Sequence, residues 1–227
     1  MDSLKTRDTS SDGARDTVQE APHRLKAMFQ SAATPGDYVG AFNRNMARLI
    51  ESLDRDSVGA TIEAVEQAFE AGRTVYVMAN GGSAAVASHF VNDMGVNSLV
   101  PGRRGCRVVS LADNVASITA VANDSGYESI FLFQLQCLLE PGDVVLAMSV
   151  SGNSPNILRA VEYARAGGAR TIGFSGFDGG ALRSSVDVSV HVPSSTDEYG
   201  PVEDAFSILC HIISGYITMK RGRFLHH

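Results

Sequence analysis

From Tyr38 the apolar positions take on a helical rhythm, with Phe42, Met46, Leu49, Ile50 and Leu53 falling at spacings of three and four. A second helix is predicted from Ser57 to Ala71, where Gly72 ends it. The pattern then changes. Thr74 to Met78 is a continuous apolar run that predicts a buried strand, followed by a Gly/Ser turn and a helix from Ser83 to about Met94. The alternation continues with a strand at Arg107 to Leu111, a helix at Asp113 to Val121 and a longer helix from about Glu128 to Leu139. A strand at Asp143 to Met148 precedes a helix from Pro155 to about Ala166; Thr171 to Phe174 and Val186 to Val192 complete the strands. A helix from about Val202 to Met219 closes the pattern. Continuous apolar strands separated by helices predict an α/β fold: a five-stranded parallel sheet covered on both faces.

Residues 1–35 are polar, with a short apolar cluster at Leu25, Met28 and Phe29, and read as a flexible N-terminal tail with at most a turn or two of helix near its end. The domain is predicted over residues 36–220, and 221–227 as a C-terminal tail that includes His226 and His227. The length of 227 residues suits one α/β domain, and a 44% apolar fraction suffices for a core. A formal charge of −6 without a basic patch excludes nucleic acid and acidic membrane as main partners. No stretch approaches the roughly 20 apolar residues that span a bilayer, and no signal-peptide pattern opens the chain. Cys106, Cys137 and Cys210 are odd in number and set in apolar runs, which predicts buried reduced thiols and a cytoplasmic location.

Two loops carry the first candidate chemistry. Asn80-Gly81-Gly82-Ser83 follows the first strand and opens a helix, and Ser149 to Ser154 follows the third strand and opens another. At the carboxyl ends of parallel strands, helix N-termini present free amide donors; glycine allows close approach and serine adds rotatable donors. A monophosphate fits such loops, whereas the lack of a Walker lysine and of a GxGxxG after the first strand argues against nucleoside triphosphates and dinucleotides. One such loop alone is more often an ordinary turn with a serine cap; two at equivalent positions point to a ligand.

Four further residues add chemistry. His89 and Asp93, four apart, share a helix face, and Glu203 and His211, eight apart, share another. Two imidazoles and two carboxylates can hold a divalent metal or serve as an acid–base set. A lone helical histidine is more often a core residue, and helical acids are usually exposed; the neighbouring loops raise these four above that default. His191, in the last strand, reads as structural.

With these residues in view, the chain resembles a sugar isomerase (SIS) domain, and within that group the phosphoheptose isomerases. The resemblance rests on Ala79 to Phe90, Asn123-Asp124, Ser149 to Ser154 and Glu203 to His211, and it covers about residues 36–220. It implies a three-layer sandwich of SIS type with an N-terminal helical segment. Carried over residue by residue, Ser149, Ser151 and Ser154 hold the phosphate, Val150 counts among the substrate-binding residues, Asn80, Gly81, Gly82 and Ser83 line the sugar site, and Asn123 and Asp124 bind sugar hydroxyls. His89, Asp93, Glu203 and His211 take the places of the metal ligands, with one zinc ion per site. Asp93, Glu203 and His211 are also the expected acid–base residues, and Asp93 and Glu203 line the substrate. The resemblance further implies a homotetramer with active sites between subunits.

The implied reaction interconverts sedoheptulose 7-phosphate and a D-glycero-heptopyranose 7-phosphate by enediol proton transfer. Four positions depart from the usual pattern: Asp93 replaces glutamate, Glu203 replaces glutamine, Val150 replaces threonine, and Asn97 stands where an arginine is common. They leave open an isomerase of a related ketose phosphate, such as an octulose 8-phosphate of secondary metabolism. A non-catalytic phosphosugar-binding regulator is the rival class, which the retained His89 and His211 disfavour.

Overall fold

A computed structural model describes residues 23–102 and 104–223. Most of the two predicted tails, including His226 and His227, lies outside the described residues. Five strands, β1 (Thr74–Ala79), β2 (Arg107–Ser110), β3 (Val144–Ser149), β4 (Arg170–Ser175) and β5 (Val188–His191), form one sheet in the order β2-β1-β3-β4-β5. All four pairings are parallel, as predicted. The helices are α1 (Arg24–Ser31), α2 (Pro35–Glu51), α3 (Arg55–Glu70), α4 (Gly81–Gly95), α5 (Val115–Ser125), α6 (Leu132–Leu138), α7 (Pro155–Ala166), α8 (Leu182–Ser185) and α9 (Tyr199–Lys220).

Alternate residues of each central strand feed opposite cores. Val75, Val77, Leu146, Met148, Ile172 and Phe174 pack with α3, α4 and α9, whereas Tyr76, Met78, Val145 and Ala147 pack with α6, α7 and α8. The side chains of β1 and β3 are buried throughout, the condition that makes a parallel strand read as an unbroken apolar run. Helix α2 starts on a capping box: the Thr34 hydroxyl accepts from the Asp37 amide, the Asp37 carboxylate accepts from the Thr34 amide, and Pro35 occupies the first turn. Helix α1 supplies the helical turns predicted near the end of the N-terminal segment.

Three differences from the predicted elements have local causes. The helix predicted from Glu128 to Leu139 is divided into a 3₁₀ turn at Tyr127–Ser129 and α6, with Ile130 and Phe131 buried at the break. Periodicity cannot resolve such a break, because both helix types bring apolar side chains to one side every three or four residues. Helix α8 was not predicted; its four residues are too few to show a period. Cys137 is exposed rather than buried, because α6 turns Leu135 to the core and Cys137 away from it. Cys106 and Cys210 are buried as free thiols, and burial, reinforced by the Asp93 charge, pushes the Cys210 thiol far above its ordinary value. His191 is structural, with Nε2 3.1 Å from the Phe177 carbonyl oxygen, and burial lowers its pKa. No described helix is long and apolar enough to cross a membrane.

Candidate active site

The strand order reverses between β1 and β3: the chain leaves β1 toward β2 on one side and returns to β3 on the other. The loops after these two strands therefore lie side by side at the topological switch point, where open α/β sheets bind ligands. The loop after β3 is held tightly. Ser149 Oγ and Ser154 Oγ are 3.1 Å apart, and the Asn153 amide donates to Ser151 Oγ at 3.2 Å. Gly152 turns the loop at φ +65°, and a Cβ there would fall on the Gly179 carbonyl oxygen. Asn153 fastens the loop further, since its Nδ2 donates to the Ser151 carbonyl and its Oδ1 accepts from the Ala181 amide, both at 3.0 Å.

Gly152→Ala is expected to lower the melting temperature and to weaken inhibition by inorganic phosphate at least tenfold, because left-handed strain costs about 1–3 kcal/mol before any clash is relieved. Thermal melts and phosphate inhibition constants measure both. Phosphate inhibition equal to wild type would remove this loop from the anion site.

Val150 lies within the loop, yet its side chain is buried in the core while its carbonyl accepts from the Gly176 amide at 2.9 Å. As a predicted substrate-binding residue it thus offers backbone only. Asn123 and Asp124 are exposed at the end of α5, with Asn123 Nδ2 donating to Asp124 Oδ1 at 2.8 Å.

Helices α4 and α9 pack side by side and build the second part of the site. His89 Nε2 lies 3.5 Å and His211 Nε2 3.6 Å from the same oxygen of Asp93, Oδ2, and the imidazoles meet edge to face at 4.9 Å. The other oxygen of Asp93 accepts from Asn97 Nδ2 at 3.3 Å, so Asn97 orients this carboxylate. Both imidazoles are about half exposed while Asp93 is mostly covered. One ligand atom from each of the three residues lies within 4.8 Å of the others. Tetrahedral zinc with bonds near 2.0–2.1 Å separates its ligands by roughly 3.3 Å, so two imidazole nitrogens and one carboxylate oxygen at these distances fit a metal site with a position left open for substrate.

Glu203, the fourth predicted ligand, stands apart from this cluster. It lies two turns back along α9, where its Oε1 accepts from Ser83 Oγ at 3.0 Å and its carboxylate covers Gly82 at the start of α4. The positive end of α4 favours a carboxylate there. A shared helix face was right for Glu203 and His211, but α4 meets them at opposite ends.

Sequence reasoning missed Asn156 and Tyr127. Asn156, buried in the first turn of α7, forms a reciprocal amide pair with Asn80, and the Tyr127 hydroxyl donates to Asn80 Oδ1 at 3.0 Å. Nothing local distinguishes either residue; Asn156 falls at the start of the helix predicted from Pro155, and Tyr127 lies between predicted helices.

The family described as "SIS domain" matches residues 37–176, which places the chain among SIS-domain proteins. It is 37% identical over 187 residues to a phosphoheptose isomerase of Geobacter sulfurreducens, an alignment covering 81% of this chain and 97% of that protein. It is 33% identical over 185 residues to a lincomycin biosynthesis protein of Streptomyces lincolnensis, covering 78% of this chain and 67% of the other. The solved phosphoheptose isomerase of Francisella tularensis has the same fold, with a TM-score of 0.75 at 28% identity over 82% of this chain and 99% of that one. The chain belongs to the phosphoheptose isomerase branch of the SIS-domain family.

Proposed function

We propose that this chain interconverts sedoheptulose 7-phosphate and a D-glycero-heptopyranose 7-phosphate in the cytoplasm. The observation that carries the reading is the convergence of His89, Asp93 and His211 across two helices, one of which opens at the switch-point loops. A non-catalytic phosphosugar-binding protein has no need of two imidazoles facing one carboxylate oxygen.

Ser149, Ser151 and Ser154 anchor the phosphate by hydroxyl and amide donors, with the N-terminus of α7 adding its field. Asn80, Gly81, Gly82 and Ser83 line the sugar, Asn123 and Asp124 take its hydroxyls, and Glu203 accepts from a further hydroxyl beside Ser83. Moving the carbonyl between C1 and C2 requires one carbon to lose a proton and its neighbour to gain one. Asp93 removes and returns that proton, and His211 carries protons to and from the two oxygens. His89, Asp93 and His211 would hold one zinc ion per site; the ion would supply Lewis-acid polarisation of the carbonyl in place of the protons that a metal-bound His211 nitrogen no longer carries. Exposed Ile212, Tyr216 and Met219 continue along α9 from His211, and Val96 is exposed just beyond α4. This apolar surface supports a homotetramer with active sites between subunits, whose mass light scattering would read.

The test is turnover of sedoheptulose 7-phosphate by the purified protein with added zinc, the product being identified as an aldose 7-phosphate. Octulose 8-phosphate run in parallel separates the related-sugar reading. Asp93→Asn is expected to lower kcat by about 10²–10⁴-fold, the range for a lost general base. Glu203→Gln keeps an oxygen for Ser83 and is expected to retain kcat within about tenfold of wild type. The reverse ranking would make Glu203 the base.

A further inference from the structure

Asn80 stands at the N-cap of α4, a position where asparagine ordinarily turns its side-chain oxygen onto the helix's own first amides. Here the side chain makes no capping bond. Its Oδ1 instead accepts from Asn156 Nδ2 at 2.8 Å and from the Tyr127 hydroxyl at 3.0 Å, and its Nδ2 donates to Asn156 Oδ1 at 3.0 Å. Two consequences follow. The first amides of α4 are left without a side-chain cap, and both lone-pair directions of Asn80 Oδ1 are occupied, which sets the rotation of its amide. One Nδ2 hydrogen has no acceptor among the described residues and is free for a guest.

The partners come from the other two segments of the site. Asn156 is 2% exposed and follows Ser154 of the phosphate loop by two positions; its Oδ1 also accepts from the Ile157 amide at 3.0 Å, so its carboxamide is fixed from both sides. Tyr127 follows Asp124 by three positions, after a turn at Gly126 with φ +89°. Tyr127 is 53% exposed, so core packing does not account for its placement, whereas the hydroxyl bond does. The phosphate loop, the sugar loop and the end of α5 thus meet at one amide.

We propose that Tyr127 and Asn156 are positioning residues: they orient Asn80 and fix the spacing between the phosphate anchor and the sugar-binding residues. The inference rests on the phosphosugar isomerase reading and assigns two residues that it did not include. An Asn80 amide held by three hydrogen bonds before substrate arrives does not have to be ordered on binding, and its remaining N–H already has a direction.

Tyr127→Phe tests this directly, since it removes one hydroxyl from a half-exposed residue. The value of one hydrogen bond sets the expected size. The KM for sedoheptulose 7-phosphate is expected to rise roughly threefold to tenfold, with the melting temperature and the inhibition constant of inorganic phosphate unchanged. In an Asn80→Ala background the same change is expected to have no further effect, because its route through Asn80 is already gone. An unchanged KM in the single variant overturns the inference, as does a full additive effect in the Asn80→Ala background. A fall in melting temperature with KM unmoved makes Tyr127 a structural staple only and also overturns it. A wild-type protein that turns over neither heptulose nor octulose phosphate removes the underlying reading and this inference together, a result distinct from a neutral Tyr127→Phe in an active enzyme.

Discussion

Replacing His211 by alanine is expected to lower kcat by about 10²–10⁴-fold, the contribution of a positioned acid–base group, while leaving the melting temperature nearly unchanged. The second half of that expectation follows from where the side chain sits. His211 is about half exposed and makes its polar approach only to Asp93, and changes at such positions stay within about 0.5 kcal/mol. Its core-facing neighbours on α9, Leu209, Cys210 and Ile213, are untouched. On the proposed zinc site, zinc content per chain is expected to fall as well, since one of three proposed ligands is gone; the melting temperatures are therefore compared on metal-free protein. A folded variant with near-normal kcat would take His211 out of the chemistry. Normal kcat after complete removal of zinc from the wild type would confine the three residues to proton transfer.

The largest expected loss of stability is at Glu198, immediately before α9. Its side chain has no exposure, and it has partners in three parts of the chain, of which Arg24 Nε on α1 lies 3.8 Å from Oε2. Oε1 accepts from Asn45 Nδ2 at 2.5 Å and from Arg48 Nη2 at 3.3 Å on α2, and Oε2 accepts from the Ser195 amide at 2.7 Å and from its hydroxyl at 2.9 Å. Next to it, Asp197 accepts the Arg24 and Lys26 amides at the start of α1. Glu198→Ala leaves the buried Asn45 Nδ2 and the Ser195 amide without their acceptor, while the partly exposed Arg48 keeps Asn45 Oδ1. Bonds to a charged acceptor are worth about 1.5–3 kcal/mol each, together about 3–6 kcal/mol. At about 2–4 °C per kcal/mol for a domain of this size, the melting temperature should drop by roughly 6–24 °C. Activity should fall with it, since α9 carries Glu203 and His211. A variant that melts within about 2 °C of wild type would show that α9 is anchored by its apolar face alone.

Much of the fold was legible because it is encoded locally. The buried strands read as apolar runs since both sheet faces are covered, and α7 matched its predicted limits because Pro155 and Gly167 bracket a clear period. The break at Ile130 and the four-residue α8 lie below the length at which a period can be seen. Glu198 carried no signal at all: in a polar stretch beside Asp197 it reads as a solvated acid, and only its distant partners Asn45 and Arg48 make it a buried hub. The candidate site was read in parts. His89 and Asp93 were paired correctly, as an i, i+4 relation on α4 is a local matter of helix geometry.

The sequence by itself therefore determined the alternation of strands and helices, the two glycine- and serine-bearing turns, and which residues of each helix share a face. Steric limits and hydrogen-bonding periods act over a few residues, so a few residues suffice to show them. Only the tertiary structure decided that β3 returns beside β1, which sets the two loops next to each other. It also decided that α9 crosses α4 so that His211 reaches Asp93 while Glu203 reaches Ser83, and that Asn156 and Tyr127 close on Asn80. Those meetings depend on how the whole sheet and its two cores are buried at once, a sum over contacts between distant segments, 120 positions apart for Ser83 and Glu203, that no local window contains.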